Sequence, residues 1–89
     1  MVKNIYEDYL DSIRTIYQSL HNLVGRKIFV HYSNPFDFDK IRPYYIGNIL
    51  SVTNKFVCVE LLYPENNRIK ECINFDDIYN QNIKIVLDN

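Results

Sequence analysis

The sequence predicts an α+β domain: an N-terminal α-helix followed by a five-stranded antiparallel sheet curled into a small β-barrel. Three observations predict it. Apolar residues recur at alternating steps of four and three as far as Val24, then alternate singly beyond Gly25, which is the change from a helical to a strand period. Turn-forming clusters at 33–43, 53–55 and 64–67 cut the second part into short runs. A chain of 89 residues that is 47% hydrophobic has room for one domain with a packed core. The domain therefore runs over 1–89, with the helix in 1–24 and the barrel in 26–87.

The helix is expected over residues 4–24. Tyr6, Leu10, Ile13, Tyr17, Leu20 and Val24 share one stripe, and Ile5, Tyr9, Ile16 and Leu23 form a second seam beside it. Asn4 with Glu7 makes a capping box, and Gly25 suits the C′ position. Together the seams are wider than one neighbour normally covers. Either both rest on the barrel, or one docks a partner chain or a second copy.

The first strand covers 26–32, with Ile28 and Val30 on one face and Lys27, Phe29 and His31 on the other. Residues 33–43 form a loop with two prolines, and Phe36, Phe38 and Ile41 lie inside it. Those side chains either fold back to cap the core or make an exposed recognition loop. The second strand, 44–52, contains Gly47, which permits a sharp bend or a close backbone approach. The third strand covers 56–62 and the fourth 68–73. Their hairpin register places Leu61 opposite Ile69, Glu60 opposite Lys70 and Cys58 opposite Cys72. Glu71 opposite Val59 is the misfit of that register. Residues 75–79 read as one helical turn, and 83–87 as the last strand.

Composition narrows the partner. The formal net charge is −1 and the isoelectric point about 6.0, without the cationic excess that phosphate binding favours. Eight Tyr and five Phe supply rings suited to a boundary between core and water. Two Cys allow at most one bridge. Glu7, Asp8 and Asp11 interrupt any signal segment, and no apolar run approaches a membrane span, so a reducing cytoplasm and no membrane are expected. The chain has no alanine and no Trp but abundant Asn, Ile, Lys and Tyr. Those four have AT-rich codons, which points to low-GC bacteria and their phages.

The run Tyr45-Ile46-Gly47-Asn48-Ile49-Leu50-Ser51-Val52, leading through Asn54-Lys55-Phe56-Val57, resembles the first segment of the Sm-like barrels, which have the Hfq-like outline of one helix and five strands. The stretch Ile73-Asn74-Phe75-Asp76-Asp77-Ile78 resembles the end of small SH3-like barrels. The resemblance is one of pattern over 6–87. It implies an oligomeric ring that binds RNA or a nucleotide, with Lys55 and Phe56 at the polar and base-stacking positions. Where that family carries a Lys-His pair in strand four, this chain has Lys70 and Glu71, and Glu71 puts a negative charge where the nucleotide would lie. The 33–43 loop is also longer than the family's.

Catalytic chemistry finds little to work with. Cys58 and Cys72 sit mid-strand among Val57, Val59 and Ile73, where an apolar setting quiets a thiol and favours a structural role. His21 and His31 do not combine with them into a metal-ligand spacing, and Asp76-Asp77 reads as a helix start. No catalytic group, metal or cofactor is expected. The expected function is a non-catalytic binding protein, similar in profile to phage or mobile-element inhibitors that occlude a host defence factor. Its partner-binding residues would be Phe36, Phe38, Tyr44, Tyr45, Tyr9 and Ile16. The alternative is nucleic-acid binding through Lys27, His31, Tyr32, Lys55 and Phe56, where basic and aromatic side chains interleave.

Overall fold

A computed structural model of the chain describes residues 5–62 and 67–88. Helix α1 spans Ile5–His21 and strand β1 Lys27–Tyr32; a 3-10 turn follows at Pro35–Phe38. Strands β2 (Tyr44–Val52), β3 (Phe56–Leu62) and β4 (Arg68–Asn74) come next, then the short helix α2 (Phe75–Tyr79) and β5 (Ile83–Leu87). The five strands form one antiparallel sheet in the order β4-β3-β2-β1-β5. Strands β4 and β5 are its two edges, and the sheet does not close between them.

Strict alternation along the strands sends one set of side chains inward. Ile28, Val30, Tyr32, Tyr45, Ile49, Val57, Val59, Leu61, Ile73 and Ile83 are buried there, with Phe75 of α2 and Leu20 of α1 completing the core. The β3–β4 register is the expected one, with Leu61 opposite Ile69, Glu60 opposite Lys70 and Cys58 opposite Cys72. The β2–β3 ladder shifts between Ile49 and Ser51, a bulge at Leu50 that adds to the twist. The expected turn at 64–67 falls largely outside the described residues, as does Asn4 of the expected capping box.

At Gly47 strands β2 and β3 come into close backbone approach. A Cβ built there would stand 2.3 Å from the Glu60 carbonyl oxygen and 3.1 Å from Leu61 Cδ2. The residue therefore serves close backbone approach, as the sequence suggests. Gly25 differs from its expected role, because α1 ends at His21. It takes a left-handed φ of +83° in the connection to β1 and donates its N–H to the Ile49 carbonyl at 2.8 Å, tying that connection to the sheet.

Helix α1 rests on α2 and β2. Both seams contribute in part: Ile13, Ile16 and Tyr17, with Leu23 just past the helix, pack against the core that Leu20 enters, while Val24 is exposed. Ile5 and Tyr6, at the start of the helix, are exposed. In its second turn, the Tyr9 hydroxyl donates to the Asp76 carboxylate and the Tyr9 ring meets Tyr79 edge-on at 5.1 Å, which pins α1 to α2.

The 33–43 connection crosses the open mouth of the core. Phe38 lies against Tyr32 with ring centres 5.4 Å apart. The Tyr45 hydroxyl accepts the N–H groups of Ile41 and Arg42 at 3.2 and 3.3 Å. Lys40 is buried, and its ammonium donates to Glu71 Oε1 of β4 at 2.6 Å and to the Phe38 carbonyl at 3.1 Å, with the Tyr32 ring 5.5 Å away. Glu71, the misfit of the hairpin register, thus faces inward with Val59 in order to anchor this loop.

Candidate functional site

The outer sheet face is built by the other half of each strand. Phe29 of β1 lies opposite Val86 of β5 on one side and Ile46 of β2 on the other, and Ile46 lies opposite Leu62 of β3. These four side chains make an unbroken apolar row across four strands, with Phe29 half-buried and Val86, Ile46 and Leu62 at 54%, 38% and 40% exposure. An exposed contiguous apolar strip of this kind marks an interaction site more often than scattered apolar residues do.

Charged rows flank the strip. On one side Lys27 sits 3.5 Å from Asp88, and Arg68 bonds Glu60 diagonally across the hairpin at 3.1 Å. On the other, the His31 ring leans on Tyr44 with centres 4.5 Å apart, and Lys84 stands opposite His31. Between strip and charged row lies a shallow concavity of about 220 Å³, lined by Lys27, Ile46, Asn48, Glu60, Leu62 and Arg68. Gly47, which has no side chain, forms part of its floor. An apolar floor with a polar rim is the anatomy of a protein interface.

The sequence-expected partner residues divide. Phe36 and Tyr44 are exposed, at 80% and 59%; Tyr44 shares the outer face of β2 with Ile46, while Phe36 stands out from the turn of the 33–43 connection. Tyr45 is buried, because alternation places it inward, and Phe38 and Ile16 are held against the core. Tyr9 is taken up by its contacts with Asp76 and Tyr79. Those four do not form a free surface. The hydrogen bond to Asp76, then burial, raises the Tyr9 phenol above its ordinary 10.0.

The nucleic-acid set also separates. Tyr32 is buried in the core, on the opposite face from His31, so the expected basic and aromatic face of β1 loses its outer ring. Lys27 and His31 remain on the outer face, while Lys55 and Phe56 lie at the far end of β3, beside the β2–β3 turn that the Thr53 hydroxyl organises. Lys55 lines a second recess of about 280 Å³ with Tyr9, Ile13, Asn54, Phe75 and Asp76, under α1. The five do not converge.

The cysteines correct another expectation. Both thiols are free and lie on the outer face, Cys58 half-buried and Cys72 exposed, turned away from the inward Val57, Val59 and Ile73. Among the described residues no group of three His, Cys, Asp or Glu side chains is placed to hold a metal ion, and no helix is long and apolar enough to cross a membrane.

Phe29, Ile46, Leu62 and Val86 escaped sequence reasoning, although one signal was present. Strand β2 is apolar on both faces, with Tyr44, Ile46 and Leu50 alternating against Tyr45 and Ile49, which exceeds what a sheet covered on one side needs. No known family model matches the chain, and no curated protein matches it.

Proposed function

We propose that the chain is a non-catalytic protein-binding module whose partner seats on the outer sheet face. The observation that carries this reading is the apolar row Val86–Phe29–Ile46–Leu62, continuous across four strands and set beside a concavity with a charged rim. Tyr44 extends the same surface as an exposed ring, and the exposed Phe36 of the 33–43 turn offers a second one; aromatic anchors carry much of the energy of such contacts. A near-neutral chain of this size acts most directly by covering a surface of its target. That is the mode of a small phage or mobile-element inhibitor of a host defence factor. The single antiparallel sheet in the order β4-β3-β2-β1-β5, with the close β2–β3 approach at Gly47, supports a small Sm- or SH3-like architecture whose sheet stays open between β4 and β5.

A second reading keeps one specific support. Strands β4 and β5 are unpaired edges of the same sheet, so copies that join edge to edge would build a ring, and such a ring would suit RNA or nucleotide binding.

Affinity capture from the native host, with mass spectrometry and nucleic-acid staining of the eluate, separates the readings. A protein captured by the native chain and lost with Ile46→Asp or Val86→Lys, both still folded by circular dichroism, supports the module. Retention of the partner by both variants refutes the outer-face site. A ring-sized particle by light scattering that carries salt-sensitive RNA establishes the second reading.

A further inference from the structure

The β3–β4 hairpin carries a feature the docking surface does not use. Cys58 and Cys72 are directly opposed across an antiparallel ladder, point to the same outer face, and bring their Sγ atoms to 2.8 Å. Opposed residues in such a ladder have Cα atoms about 4.5–5.5 Å apart. That lies inside the roughly 4.4–6.8 Å range that disulfides span. Joining the sulfurs therefore needs side-chain rotation and no movement of either strand.

We propose that Cys58 and Cys72 form a redox-modification site, at which a low-molecular-weight disulfide of the glutathione class converts the two thiols into an intrachain cross-strand disulfide. The exposed Cys72 is the entry point. Its thiolate attacks one sulfur of the glutathione disulfide, the S–S bond breaks, and one glutathione thiolate leaves. The Cys58 thiolate then attacks the Cys72 sulfur of the mixed disulfide and expels the second glutathione thiolate. In total the two protein thiols give up two electrons and two protons, and one glutathione disulfide becomes two glutathione molecules. The Cys72 thiol, held above its ordinary value by its hydrogen bond with Cys58, makes the first attack faster as the pH rises.

The consequence falls on β4. This edge strand has one neighbour, β3, and it also carries Glu71, the anchor of the 33–43 loop. A covalent link between β3 and β4 ties down the strand and, through Glu71, the loop that crosses the core.

The test treats the full chain with a mixture of oxidised and reduced glutathione, quenches in acid and measures intact mass. The expected product is lighter by two hydrogens, with no adduct, and runs as a single chain on a non-reducing gel. A peptide pair linking Cys58 to Cys72 identifies the bond. The residue separation of 14 closes a short loop, so the oxidised chain melts higher by roughly 12–24 °C, and reduction reverses the rise. Cys58→Ser stops at the glutathione mixed disulfide on Cys72. Accumulation of adducts on the native chain, covalent dimers, an oxidised chain that melts lower, or no adduct on the Cys58→Ser variant would each overturn the proposal.

Discussion

Glu71→Gln tests how the loop over the core is held. Lys40 keeps only 5% of its side chain exposed, and its ammonium meets Glu71 Oε1 at 2.6 Å. Glutamine preserves size and an acceptor but removes the counter-charge from a nearly buried cation. Breaking a fully buried pair in this way costs about 3–5 kcal/mol. The Glu71 side chain is 31% exposed, so water already screens part of the attraction, and the loss here is about 2 kcal/mol. For a domain of this size each kcal/mol moves the melting temperature by roughly 4–8 °C, which gives a fall of roughly 8–16 °C. Lys40→Met reverses the logic. It removes the buried charge, keeps an unbranched apolar stem, and leaves a carboxylate with access to water and a Phe38 carbonyl without its Lys40 donor, so it costs about 1 kcal/mol. The double variant then behaves like Lys40→Met alone. Thermal and urea unfolding followed by circular dichroism measure all three. A loss below about 0.5 kcal/mol for Glu71→Gln, the range of ordinary surface changes, or a Lys40→Met variant weaker than Glu71→Gln, refutes the reasoning.

Four further outcomes follow from the same geometry. Gly47→Ala puts a methyl 2.3 Å from a backbone oxygen that cannot rotate away, so β2 and β3 must separate, with a loss of about 1–3 kcal/mol or more by urea unfolding. The neutral Tyr9 phenol is favoured in the folded state, so its contribution is full below the ordinary value of 10.0 and fades as the pH rises through the higher folded value. Above pH about 10 the native chain therefore loses melting temperature faster than Tyr9→Phe, and parallel profiles would contradict this. Phe36→Ala, at a ring in open solvent, changes stability by less than about 0.5 kcal/mol while weakening partner capture. Phe38→Ala instead lowers the melting temperature, because its ring covers Tyr32.

The parts of this molecule that were legible in its sequence are those fixed by local chemistry. The bounds of β2, β3 and β5 and the β3–β4 register follow from alternation and turn residues, and each can be read within one or two strands. What failed was the assignment of aromatic residues to surfaces. Tyr32 and Tyr45 read as interface rings by residue type, yet the inward phase of their strands buries both. Phe36 and Phe38, two positions apart in one short turn, end on opposite sides of the boundary with water. The path that separates them is set by Lys40 reaching a partner 31 residues away in sequence, which no periodicity reveals. The sequence did carry a trace of this contact, since Glu71 opposite Val59 was a charge on an apolar face, and a charge in that position requires a cation from elsewhere. The outer row has the same character. Phe29, Ile46, Leu62 and Val86 are ordinary strand residues one at a time, and they become a surface only when four strands align them. The inner face already takes its cover from α1, α2 and the loop, so this second apolar face has no such cover within the described chain. A docked partner is what would remove it from water.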